Sequence, residues 1–231
     1  MQKNQQSASG GITRRSFIKF GGAAALTLAL PGALSTLTGC CSEAGDAFFR
    51  GERKVVDHAG REGVIPTTDK LERIYFTSGL AEIYVFSLAP ELQGGCAYQF
   101  TDEELEYLPD DMDKLKYMGS LAGGGEIDLE MLMAEDIQLV FDVSAVAISS
   151  SDISTCNNLQ DQTGIPVVMV DGSFTNVMNA YRFIGDIMGQ TARAEKIAAY
   201  CEGIYNDVRA AVGDIPDEQK VSLYYAEGPF G

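Results

Sequence analysis

Two nearly continuous apolar runs, Gln138-Leu139-Val140-Phe141-Asp142-Val143 and Pro166-Val167-Val168-Met169-Val170-Asp171, constrain this chain more than any other feature. Neither alternates polar with apolar residues, so each reads as a strand buried on both faces. Between them a helix is expected, capped by Ser151, running to about Thr163 and ended by Gly164. A strand, a covering helix and a second buried strand form a parallel crossover unit.

The same alternation extends upstream. Arg73-Ile74-Tyr75-Phe76 reads as a short strand, Thr77-Ser78-Gly79 as a turn, and Leu80 to Leu88 as a helix. Leu92 to Ala97 and Leu115 to Met118 are expected as further short strands, and Asp128 to Ala134 as a short helix. Val55 to Glu62 reads as an opening hairpin with glycine at its turn. Thr101 opens an acidic run as an N-cap, and carboxylates in a first helical turn suit the helix dipole. That run is expected to be a solvated helix and loop, not a metal site. From Thr175 to about Val212 the apolar spacing stays helical, with Gly189 as a candidate break. Lys220 to Ala226 reads as one more strand. The fold class is therefore α/β: a parallel sheet with helices on both faces, then a long helix and the first strand of an incomplete second lobe.

Charge divides the chain. Residues 1–39 carry Lys3, Arg14, Arg15 and Lys19 and no acid, whereas the remainder holds 13 basic against 33 acidic side chains. Such an acidic body excludes nucleic acid, which needs a basic face to meet phosphate. A basic head before an apolar stretch points to a targeting segment. Thr13-Arg14-Arg15-Ser16-Phe17-Ile18-Lys19 resembles a twin-arginine signal peptide, with Arg14 and Arg15 as the recognised pair. A single membrane anchor is the alternative, as the apolar stretch has the roughly 20 residues a bilayer requires. Leu37-Thr38-Gly39-Cys40 resembles a lipobox. Cleavage there would leave Cys40 carrying the lipid, and two or more acyl chains hold a protein lastingly at a membrane. The alternative for Cys40 is a small buried cysteine. Cys41, Cys96, Cys156 and Cys201 match no metal spacing, and isolated thiols are expected.

Together Val56-Asp57-His58-Ala59-Gly60-Arg61-Glu62, Arg73 to Glu82, Gly119-Ser120 through Glu130, and Gly164-Ile165-Pro166-Val167-Val168 resemble the helical-backbone class of ABC-transporter substrate-binding proteins. That class serves iron-siderophores, haem and cobalamin. The resemblance implies residues 1–39 as signal peptide, 40–53 as tether and 54–173 as the first lobe. It implies 174–213 as the inter-lobe helix and 214–231 as the start of a second lobe. It departs from the family in that second lobe, which stops after about one strand, so a truncated product or a fragment of a longer chain is expected. The implied partners are an iron-siderophore, haem or corrinoid ligand, an ABC permease and, through the lipid anchor, the membrane. By the same resemblance Glu130 would dock onto permease arginines. An ordinary exposed carboxylate is the alternative.

In open α/β sheets, ligands sit beyond the carboxyl ends of the strands. The candidate ligand residues are accordingly Ser78, Gly79, Gly123, Gly124, Gly125, Asp142 and Val143. The glycines serve equally as a plain strand-to-helix connection, and Tyr98 and Tyr117 are candidates for stacking on a macrocycle or for rim packing. One histidine, His58, with no hydrolase or metalloprotease pattern around it, argues against an enzyme and against an imidazole-held metal. No cofactor is expected. The competing reading is a lipid-anchored interaction module, or a non-functional fragment, without ligand binding of its own.

Overall fold

The computed structural model describes residues 51–224, so Arg14, Arg15, Cys40, Cys41, Tyr225 and Ala226 lie outside the described residues. It begins with an antiparallel hairpin, β1 (Glu52–Val56) and β2 (Glu62–Pro66), in which Val56 pairs with Glu62 across the turn. The hairpin's inner anchor is Ile65, which is fully buried.

The central sheet has three parallel strands, β3 (Ile74–Phe76), β4 (Leu139–Ser144) and β5 (Val167–Asp171), in the order β3-β4-β5. Phe76 pairs with Phe141, and Phe141 with Val168. Ile74, Tyr75, Phe76, Leu139, Val140 and Phe141 have no solvent exposure, as strands covered on both faces require. The covering helices are α1 (Gly79–Leu88), α2 (Asp102–Leu105), α3 (Leu129–Ala134), α4 (Ser150–Thr163), α5 (Val177–Ile187) and α6 (Thr191–Val212).

Several expectations change. Leu92 to Ala97 and Leu115 to Met118 do not form strands; they meet β3 and each other only at isolated bridges, Ile74 with Gln93 and Cys96 with Tyr117. The Gly94-Gly95 pair brings no side chain to a pleated surface, which weakens a strand. The cap of α4 is Ser149, not Ser151: its hydroxyl accepts from the Asp152 amide and Asp152 reaches back to the Ser149 amide. The helical stretch from 174 to 213 is two helices, not one. Gly189 takes φ +70 between α5 and α6, a conformation costly for any residue with a Cβ, and a Cβ there would lie 2.2 Å from Thr68 Cγ2.

At about 1.5 Å per residue, the 22 residues of α6 extend roughly 33 Å. Ala194 and Ala198 are buried against the lobe, while Tyr200, Ile204, Val208 and Val212 are exposed. Arg182 on α5 forks onto Glu195 at 2.8 and 3.0 Å and reaches Glu202 at 3.1 Å, tying the two helices together. Beyond α6, residues 221–224 have no strand partner, and Val221, Leu223 and Tyr224 are exposed. The strand expected at Lys220 to Ala226 is thus not formed in its described part, where no described residue pairs with it. Cys96, Cys156 and Cys201 are free thiols. Among the described residues no helix is long and apolar enough to cross a membrane.

Candidate functional site

The carboxyl ends of β3 and β4 open into a cleft of about 250 Å³ lined by Thr77, Ser78, Leu121, Ala122, Asp142, Val143, Ser144, Asp152, Thr155 and Cys156. It therefore gathers Ser78, Asp142 and Val143 from the expected set. Ser78 sits there because it caps α1: its hydroxyl accepts from the Ala81 amide at 3.3 Å, which fixes the turn leaving β3. The loop after Gly119 is drawn over the same strand end. Leu121 donates its amide to the Thr77 carbonyl at 2.7 Å, and the Ser120 hydroxyl donates to that carbonyl at 3.1 Å.

The loop reaches the cleft through Leu121 and Ala122 and not through its glycines. Gly123, Gly124 and Gly125 are exposed and do not line the cavity. Gly123 and Gly124 take φ +66 and +79 in open space, so they serve the turn that returns the chain to Ile127. Gly79 opens on the other side of α1, onto a separate apolar cavity of about 350 Å³ with Ile83, Phe86, Tyr98, Phe100, Leu108 and Met112. Ser78 and Gly79, neighbours in sequence, thus divide a polar cleft from an apolar one. Tyr98 lines the apolar cavity, whereas Tyr117 lines a different hollow beside Cys96 and Leu115.

Asp142 is the electrostatic centre of the polar cleft. Burial raises its carboxyl above the usual range, opposed by hydrogen bonds from Thr77 and Cys156. The Thr77 hydroxyl donates to Asp142 Oδ1 at 2.5 Å. Burial and then the Asp142 charge push the Cys156 thiol up, which keeps it protonated and weakly nucleophilic. No Lys, Arg or His lines this cleft. The hydroxyls of Ser78, Ser144 and Thr155 are polar groups that the cleft offers beside its two carboxylates. Asp152, Thr155 and Cys156 escaped the sequence reading. Since α4 follows β4 after a short loop, its first turn must return to the same end of the sheet, and that was the available signal.

His58 has a structural role. Its Nδ1 accepts from the Asp171 amide at 3.0 Å and its ring packs on Phe183, 4.5 Å between centroids. Glu130 is exposed in the first turn of α3, whose N-cap Asp128 accepts from the Met131 amide at 2.9 Å. Among the described residues no three His, Cys, Asp or Glu side chains group as a metal site.

Residues 11–31 match the family model of the TAT (twin-arginine translocation) pathway signal sequence. No protein among curated sequences matches the chain. Solved structures do. An ABC transporter solute binding protein from Sulfurospirillum deleyianum aligns at TM-score 0.66 and 19% identity, over 76% of this chain and 54% of that one. A TroA-like periplasmic binding protein, FepB, from Veillonella parvula aligns at 0.56 and 17% identity, over 71% and 50%. The molybdate periplasmic binding protein MolA of a Haemophilus influenzae ABC transporter, solved with molybdate, aligns at 0.55 and 14% identity, over 73% and 56%. This chain shares its fold with part of such proteins, and it spans about half the length of the solved structures it matches.

Proposed function

We propose that this chain is the extracytoplasmic substrate-binding component of an ABC importer, exported by the twin-arginine route and held at the membrane by lipid on Cys40. The single observation that carries the reading is the convergence of Ser78, Asp142 and Val143 at the carboxyl end of a parallel sheet, behind a twin-arginine signal. The likeness in fold to solute-binding proteins supports it, as does the apolar row Tyr200, Ile204, Val208 on α6, suited to a strut that packs a further lobe. The ligand we favour is an iron-siderophore, haem or corrinoid. A cleft with two aspartates and no basic lining residue repels a small naked oxyanion, whereas a large chelate meets its hydroxyls and carboxylates with polar groups of its own.

Calorimetric titration of the mature chain with a ferric siderophore, haemin and cyanocobalamin tests the ligand. One of the three binds, and Asp142→Ala weakens that binding by roughly tenfold, the loss expected of a buried polar contact. Heat from none of them, with the chain folded, would favour the interaction-module reading. Glu130 is the residue we assign to permease docking. Glu130→Ala lowers transport measured below saturation and leaves ligand affinity unchanged; equal transport would remove the assignment.

A further inference from the structure

The apolar cavity beside α1 is walled by Phe86 and Ile83 from the helix and by Tyr98, Phe100, Leu108 and Met112 from the segment that follows. Tyr98 and Phe100 meet edge to face, 5.6 Å between centroids, and Tyr98 is half exposed at the mouth. At about 350 Å³ the space lies at the small end of ligand sites. Its surroundings carry one sign of charge. From Tyr98 to Asp113 the chain holds Asp102, Glu103, Glu104, Glu106, Asp110, Asp111 and Asp113, all exposed, and no basic residue. The first base beyond, Lys114, turns to Asp111 at 2.5 Å, and Lys116 pairs with Glu135. The one carboxylate that lines the cavity itself is Glu82, whose oxygens point to the Ala97 amide and Gln93.

We propose that this cavity binds a small organic cation with an apolar body. The body fills the space between Phe86, Phe100 and Met112. The cationic head stays at the mouth, where the Tyr98 ring face and Glu104, which accepts from the Tyr98 hydroxyl at 3.4 Å, attract positive charge within the acidic field of the segment. An anionic amphiphile of the same shape meets the opposite field and is rejected. The cavity is built wholly from residues 79–112 of this lobe, so the assignment stands apart from the transport reading and needs no second lobe.

Three molecules with one apolar body separate charge from shape: phenylbutylammonium, phenylbutanol and phenylbutyrate. Titrated into the mature chain and followed by NMR, they are expected to move the resonances of Phe86, Tyr98 and Phe100. The ammonium binds at least roughly tenfold tighter than the carboxylate at low ionic strength, and the gap narrows in about 1 M salt, where exposed charges are screened within about 3 Å. Replacing three exposed acids together, Glu103→Gln, Asp110→Asn and Asp113→Asn, removes the preference and leaves phenylbutanol affinity unchanged. Ile83→Lys, at a position 59% exposed and therefore tolerant, abolishes binding of the ammonium. Equal or tighter binding of the carboxylate, no binding of the ammonium, shifts confined to other residues, or an indifferent Ile83→Lys would each overturn the assignment.

Discussion

Asp57 Oδ2 accepts a hydrogen bond from the main-chain amide of Met169, 112 residues away, at 3.1 Å. The same oxygen accepts from Arg61 Nε at 2.9 Å, and Oδ1 accepts from the Ala59 and Arg61 amides at 3.0 and 2.9 Å. One buried carboxylate therefore shapes the hairpin turn and fastens it to β5. Arg61 completes the clamp on Asn157, at 2.7 Å, and on the Val167 carbonyl. The Asp57 to Arg61 motif is thus a structural latch and does not line the cleft around Asp142.

Asp57→Ala should leave the Arg61 guanidinium and the Met169 amide without their acceptor. Removing one partner of a buried pair costs about 3–5 kcal/mol. Urea unfolding at neutral pH checks this; a loss below about 1 kcal/mol, the range of exposed pairs, would show the latch to be superficial.

Glu82 gives the fold a pH dependence of unusual sign. Burial pushes its carboxyl up to about 7 from an ordinary 4.5, against hydrogen bonds from the Ala97 amide and Gln93. The folded state holds this proton more tightly than the unfolded chain. Its contribution is therefore complete below about pH 4.5 and is lost as pH rises through about 7. The shift corresponds to about 3 kcal/mol. Glu82→Gln should remove this part of the pH dependence and stabilise the chain at pH 8 relative to the wild type. A wild-type stability that climbs from pH 5 to pH 8 in step with the variant would contradict it.

Export offers a prediction in cells. Replacing Arg14 and Arg15 by lysine should strand precursor in the cytoplasm, and Cys40→Ala should release the protein from the membrane fraction or leave it unprocessed. Fractionation with a lipid label checks both. Unchanged export, or retained lipid after Cys40→Ala, would remove the corresponding step.

The segment after α6 should be the first to yield to protease. Every residue from Gly213 to Tyr224 is exposed, whereas Val167 to Val170 lie in the sheet with 4% exposure or less. Limited proteolysis should cut between Gly213 and Lys220 while the lobe stays intact. Protection of that stretch equal to Val167 to Val170 would mean it packs against the lobe.

The sheet was legible because β4 and β5 must be apolar on both faces, and that demand leaves continuous runs in the sequence. Ser78, Asp142 and Val143 followed from it, since the end of a parallel strand fixes where a cleft opens. What stayed hidden depends on tertiary contact. The residues near Gly94 and Tyr117 carry a strand-like pattern, yet they pair only at single bridges. Gly189 was visible as a candidate break, but that α6 turns back to pack on α5 through Ala194 depends on the absent Cβ of Gly185. The apolar cavity needs Phe100 and Met112 folded onto Phe86, a loop closure that no local periodicity records.

Uptake by intact cells reads out the proposed transport role. Cells lacking this chain are compared with cells carrying it for accumulation of a labelled ferric siderophore, haemin and cobalamin. Uptake of one of the three should fall in the deletion and be restored by the wild-type chain but not by Asp142→Ala. Uptake of all three unchanged by the deletion would contradict it.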